Sequence, residues 1–311
     1  MKKINMNISN DISIEEGYNS FLNNCKARNY SKYTIIFYKN IIHNFSIFYN
    51  TDNKLCTIDK QKIDEYGAYI RDKNLSDETA STYIRGLRTI LYYLMKNGKL
   101  DYFEIKLPKT EEKIKEVYSD QELKLLLKKP DLKKCSFAEY RNWILVNYLF
   151  GTGQRLNTVI NIKIGDIDFE NGIVKLKVTK GKRQTLLPLS SELLHLLKEY
   201  LQFRKGKDND YLFCNSTGQQ MSRGCITGAI KSYNKSRGVD RTSIHLFRHT
   251  YAKKYLMNGG DVFRLQKLMC HKSIETTKGY LNLNIGDLEQ DYDKLNPLDT
   301  MAENKKHIKL K

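Results

Sequence analysis

Six residues in the C-terminal two thirds of this sequence, Arg155, Lys180, His245, Arg248, His271 and Tyr280, are of types that together could transfer a phosphoryl group to a tyrosine. A tyrosine hydroxyl is a poor nucleophile at neutral pH. It becomes useful when cations lower the cost of developing phenolate charge and clamp a phosphate within its reach. Arg155 follows a Gly-Thr-Gly turn and opens a helix, and Arg248 stands three residues after His245 in SIHLFRHTYAKKYL, so those two side chains share one helical face. Two guanidiniums can hold both non-bridging oxygens of a phosphodiester and neutralise the extra charge of a pentacovalent transition state. Lys180 sits at the tip of an expected hairpin, where an ammonium can stand beside a leaving oxygen. Both histidines, with ordinary pKa values near ~6.5, can give or take a proton at neutral pH. Taken singly, each residue has a plain structural reading: one tyrosine among 21 is ordinarily a core or surface residue. The combination, in this order, carries the signal.

The elements that must position these groups are mainly helical. From Ile12 to about Leu100 the apolar residues recur at spacings of three and four, with one stripe of Tyr38, Ile41, Ile42, Phe45 and Phe48 and a cleaner one of Ala80, Tyr83, Ile84, Leu87, Leu91 and Leu94. Ser31, Thr57 and Ser76 mark helix starts, and Gly98 a stop, which predicts four helices. On the last of these, over 79–96, the face opposite the stripe carries Ser81, Thr82, Arg85 and Arg88 with no acid among them, as a helix laid against phosphates would. A merely solvated basic face is the plain alternative. The segment IKLPKTEEKIKEV, 105–117, reads as a linker. Beyond it come a capped helix at Ser119, a helix near Ala138–Phe150, a short helix after Arg155, a turn at Gly165 and a β-hairpin over Ile173–Leu189. Helical spacing then returns from Ser190 to Leu281. The expected fold is mainly α: a flexible N-terminus 1–11, a four-helix domain 12–104, a linker 105–117, an α+β domain 118–285 with a small antiparallel sheet, and a C-terminal helix and tail 286–311.

Lys and Arg number 53 against 35 Asp and Glu, a net charge of +18 that points to a polyanionic partner, nucleic acid before membrane. No apolar run approaches the roughly 20 residues that span a bilayer, and no apolar segment follows the basic start as in a secretory signal. The six cysteines are scattered without a CxxC pair, which fits reduced thiols in a cytoplasm and argues against structural zinc.

Four segments in order resemble the tyrosine recombinase, or phage integrase, family. GTGQRLNTVINIKIGDID resembles its arginine box and KLKVTKGKRQTLLPL its β-hairpin lysine segment. HLFRHTYA resembles its His-x-x-Arg box, and LQKLMCHKSIETTKGY its closing box with the nucleophile. The helical first domain resembles the family's core-binding domain by pattern and position. The resemblance implies a site-specific recombinase of the Xer or transposon-integrase kind, acting on duplex DNA as a homotetramer on two synapsed sites, in integration, excision or resolution of DNA elements. It implies that Arg155 and Arg248 bind the scissile phosphate, His245 assists proton transfer from the nucleophile and His271 hydrogen-bonds the phosphate. Lys180 would protonate the departing 5′ hydroxyl, and Tyr280 would attack to give a 3′-phosphotyrosine. Such a step needs neither metal nor nucleotide. Three positions depart from the family pattern: Thr158 replaces an acid expected to orient Arg155, Cys270 a glycine, and Thr185 an arginine. A stripe of Ile285, Leu288, Tyr292 and Leu295 stands where the resemblance implies a helix that docks on a neighbouring protomer, and packing back on its own domain is the plain alternative. Two rival readings are a type IB topoisomerase-like strand relaxation and a DNA-binding protein that keeps the fold without the chemistry.

Overall fold

The computed structural model describes residues 12–108, 116–177 and 185–280. The expected flexible N-terminus, the middle of the expected linker, the hairpin tip with Lys180, and the stripe and tail from Ile285 onward lie outside the described residues. The chain separates into two compact units, Met1–Lys113 and Ile114–Lys311.

Among the described residues the first unit holds four α-helices, α1 (Ile14–Ala27), α2 (Lys32–Phe48), α3 (Lys60–Asp72) and α4 (Asp77–Lys96). Each begins where a side-chain oxygen takes a free amide: Ser13 closes a capping box with Glu16, and Ser31, Asp59 and Ser76 accept from the N–H groups of Thr34, Lys62 and Thr79. Thr57 is not a cap, contrary to expectation. It ends a short 3-10 turn, Leu55–Thr57, and Asp59 starts α3. Helix α4 packs on the other three helices, and Ala80, Ile84, Leu87, Leu91 and Leu94 of its stripe are buried. In α2 only Ile41 and Phe45 are buried; Tyr38, Ile42 and Phe48 pack on the core from its margin. A Cβ on Gly86 would come within 2.7 Å of Cγ1 of Ile41, so the bare backbone there lets α2 and α4 close. The core continues beyond α4 through Leu100 to Ile105.

The second unit runs α5 (Asp120–Leu127), α6 (Phe137–Thr152), α7 (Leu156–Val159), β1 (Ile167–Asp168), β2 (Ile173–Leu176), β3 (Thr185–Pro188), α8 (Ser191–Arg204), α9 (Arg223–Ser236), α10 (Ile244–Met257), α11 (Val262–Leu268) and α12 (Ile274–Lys278). Strands β2 and β3 pair antiparallel, Val174 opposite Leu187 and Leu176 opposite Thr185, as the hairpin pattern predicts. Strand β1 adds a third, antiparallel to β2, that the sequence reading did not include. Helix α6 is the pillar of this unit: it packs against α5, α8, α9 and α10, and its residues Tyr140–Val146 are all buried. The backbone leading into α5 is fastened to α10 and to the segment just before it. The Tyr118 N–H donates to Thr250 Oγ1 at 2.9 Å, the Tyr118 hydroxyl donates to the Arg241 carbonyl at 3.2 Å, and Arg241 Nη1 donates back to the Val117 carbonyl at 2.7 Å. Among the described residues no helix is long and apolar enough to cross a membrane.

Candidate active site

The site is assembled at one end of α6. That helix stops at Gly153, whose φ of 58° lies in the left-handed region and whose N–H closes the last turn on the Leu149 carbonyl at 2.9 Å. A Cβ there would overlap the ring of Tyr251. The turn delivers Arg155 to the N-cap of α7, while α10 presents Arg248, and α11 ends in the Met269–Cys270 turn. Cys270 takes φ 51°, a conformation that costs an L-residue with a Cβ and that glycine adopts freely, which is the physical reason a glycine suits this position.

The backbone carbonyls of Gly153, Met269 and Cys270 aim the two arginines. Arg155 Nη1 donates to Met269 O at 3.4 Å and Cys270 O at 3.2 Å. Arg248 donates through Nη1 to Gly153 O at 2.5 Å and through Nη2 to Met269 O at 2.8 Å. A carbonyl has two lone pairs, so Met269 O bridges both guanidiniums and holds two like charges side by side. Arg248 is buried, and desolvation first, then the Arg155 charge, push its pKa down to about 10, which leaves it cationic at neutral pH. The missing acid at Thr158 therefore does not leave Arg155 unsupported, because the α11 turn carbonyls hold its fork instead.

His271 and Tyr280 complete the cluster. His271 is buried, with Nε2 2.6 Å from Arg248 Nη2 and Nδ1 2.8 Å from Thr277 Oγ1. Since a guanidinium only donates, Nε2 accepts here, and the ring proton sits on Nδ1 facing Thr277. Tyr280 follows α12 and its capping Gly279, and its ring packs with Ala252, Leu265 and Met269, parallel to the His271 ring at 6.2 Å between centroids. Burial raises the Tyr280 hydroxyl above the usual tyrosine range, while the neighbouring Arg248 and Arg155 guanidiniums pull it down.

His245 is on α10 as expected, but at the exposed edge of this cluster. Partial burial and the charges of Arg223, Arg248 and Arg155 hold its imidazolium pKa below the ordinary histidine value. The structure thus groups Arg155, Arg248, His271 and Tyr280 tightly, with His245 beside the arginines. Lys180 lies outside the described residues; Thr185, at the start of β3, reaches the Cys270 thiol, which brings that end of the hairpin to the site. Arg85 and Arg88 belong to the other unit. Arg85 is exposed and Arg88 lies over the Tyr92 ring at 5.8 Å, whereas Ser81, expected on the same outward face, is buried. The reason is geometric: Ser81 adjoins the apolar stripe at Ala80 and Ile84, and its hydroxyl is 3.5 Å from Arg85 Nη2.

Two residues escaped the sequence reading. Arg223, at the start of α9, joins the cations around His245. His249 places Nδ1 3.1 Å from the Tyr280 hydroxyl. The signal for His249 was in view, in the run HLFRH, but its position one residue past Arg248 rotates it off the face shared by His245 and Arg248.

Comparison with known proteins agrees with this architecture. Residues 116–286 match the phage integrase family and residues 16–113 the phage integrase SAM-like domain. The tyrosine recombinase XerD of Listeria innocua serovar 6a is 26% identical over 277 residues, covering 85% of this chain and 92% of the relative. XerD of Staphylococcus haemolyticus is 28% identical over 249 residues, covering 77% and 83%. Among solved structures, the XerH site-specific recombinase in a pre-cleavage complex with difH substrate is similar at 25% identity and a TM-score of 0.66, covering 88% of this chain and 83% of that one. The Tn1549 transposon integrase in complex with circular intermediate DNA shares the fold at 19% identity and a TM-score of 0.73, covering 91% and 100%. With residues 116–286, more than half of its length, matched by the family and the arginine, histidine and tyrosine boxes folded into one cluster, the chain belongs to the phage integrase family of tyrosine recombinases.

Proposed function

We propose that this protein cuts and rejoins duplex DNA at specific sites, with Tyr280 as the nucleophile of a 3′-phosphotyrosine intermediate. The observation that carries this reading is the convergence of Arg155 and Arg248 on the carbonyls of one turn, with His271 Nε2 against Arg248 and the Tyr280 ring parallel to that of His271. A phosphodiester bound by the two arginines would sit within reach of that hydroxyl, and the positive field would stabilise the charge that builds on phosphorus oxygens during attack. His271 would add a hydrogen bond to the phosphate, and Lys180 would supply the proton for the departing 5′ oxygen. The bond energy stays in the tyrosyl ester, so a 5′ hydroxyl from either strand can reverse the step.

Residues 118–285 would form the catalytic domain and 12–104 a helical DNA-binding domain that uses Arg85 and Arg88 against phosphates, with 105–117 between them. Acting in the cytoplasm on two sites at once calls for a homotetramer, in which the segment 286–311 would dock on a neighbouring protomer. Relatives that bear the XerD name, and DNA-bound structures of similar fold, support this assignment.

The test is covalent trapping. Duplex fragments from around the protein's own gene, nicked so that the cleaved end diffuses away, should give a denaturation-resistant protein–DNA adduct. Tyr280→Phe should abolish the adduct and Tyr292→Phe should retain it. Failure of the wild-type protein to form an adduct on fragments that it binds would refute the assignment.

A further inference from the structure

We propose that His249, rather than His245, takes the phenolic proton of Tyr280 as the strand is cut; this rests on the reading of Tyr280 as the nucleophile. The geometry around one oxygen carries the inference. His249 Nδ1 lies 3.1 Å from the Tyr280 hydroxyl, with ring centroids 5.5 Å apart and planes inclined at 48°. The charges that lower the cost of a phenolate on the same oxygen are the Arg248 and Arg155 guanidiniums, which have nothing to accept a proton with. The hydroxyl's own hydrogen then has Nδ1 as the acceptor facing it, and the neutral imidazole keeps its proton on Nε2. His245, one turn earlier on α10, has the guanidiniums of Arg223, Arg248 and Arg155 as its charged neighbours. That is a setting for contact with a phosphate oxygen.

Burial makes the acceptor necessary. The Tyr280 hydroxyl is largely enclosed, and desolvation disfavours free phenolate, so attack without a base would have to form a buried anion first. With His249 in place, the oxygen–phosphorus bond forms while the O–H electron pair passes to oxygen and the proton to Nδ1. The bond from phosphorus to the 5′ oxygen breaks, and that oxygen takes its proton from a separate acid, the role expected of Lys180. In rejoining, the 5′ hydroxyl attacks the phosphotyrosine and the His249 imidazolium returns the proton to Tyr280. Nothing is left over and no further reactant is consumed.

The experiment compares adduct formation by the wild-type protein, Tyr280→Phe, His249→Ala and His249→Asn in single turnover. The substrate is a nicked duplex on which the wild-type adduct forms, made with an ordinary 5′ oxygen or a 5′-bridging sulfur. A lost general base slows attack by about 10²–10⁴-fold. That deficit is expected for His249→Ala on both substrates, because sulfur leaves without a proton and relieves only a missing acid. His249→Asn keeps a hydrogen-bond acceptor near the hydroxyl but no basic nitrogen, and is expected to share the deficit; it also answers the question if the alanine variant fails to fold. Wild-type rates in either variant, or recovery of His249→Ala on the sulfur substrate, would overturn the role of His249 and leave Tyr280 as nucleophile. An adduct that survives Tyr280→Phe would instead overturn the reading on which the inference stands.

Discussion

His271 can give a proton to a phosphate oxygen only when its Nε2 carries one, and in this arrangement Nε2 accepts from Arg248 while Nδ1–H faces Thr277. The Thr277 hydroxyl makes the exchange cheap, because a hydroxyl can accept from Nδ1–H or turn and donate to bare Nδ1. Thr277 is fully buried, so no water competes for either bond. Thr277→Val keeps the shape and removes that adaptability. A lost hydrogen bond of this kind is worth about 0.5–1.5 kcal/mol, so adduct formation should fall by about 2- to 13-fold while overall binding of DNA holds. Single-turnover trapping beside a gel-shift titration separates the two. The order of the boxes in the sequence made it legible that Arg155, Arg248, His271 and Tyr280 come together, but not what supports them. The carbonyls of Met269 and Cys270 that hold Arg155 carry no side-chain signature, so Thr158 looked like a loss. Likewise His249 was hidden because helical facing pairs His245 with Arg248, whereas Tyr280 arrives from a separate element on another side of α10.

At the level of elements, the turn after α6 does two jobs. Gly153 ends the helix in a left-handed conformation, and its carbonyl receives Arg248 Nη1. Gly153→Ala would impose about 1–2 kcal/mol of left-handed strain and press a methyl group into the Tyr251 ring. Denaturant unfolding should report a loss of at least ~1 kcal/mol, and cleavage should drop further than stability does, since both arginines flank the turn. Elements with long periodic patterns were readable: the α4 stripe is buried where spacing put it, and the β2–β3 hairpin pairs as alternation predicts. Strand β1, only Ile167–Asp168, is too short to alternate and forms because β2 offers it an edge. The α3 start moved to Asp59 because two neighbouring residues could cap and local geometry chose between them.

For the whole molecule, the excess of 53 basic over 35 acidic residues makes salt the sharpest control. Each phosphate neutralised by Lys or Arg releases condensed counterions, so a protein with six to ten such contacts loses about 10³–10⁵-fold in affinity between 50 and 200 mM salt. Gel-shift titration across that range should give a steep, straight log–log slope, and a flat one would remove DNA as the partner. The sequence made the charge and the two-part organisation legible because both are sums over many residues. One feature at the entrance to the second unit acts on the same scale. The backbone at Val117 and Tyr118 is bonded to Arg241 and to Thr250, and Thr250 lies on the helix that carries His245, Arg248 and His249. Freeing Val117 and Tyr118 would therefore loosen α10 itself, so this short stretch of backbone acts as a clasp on the helix that presents the candidate site.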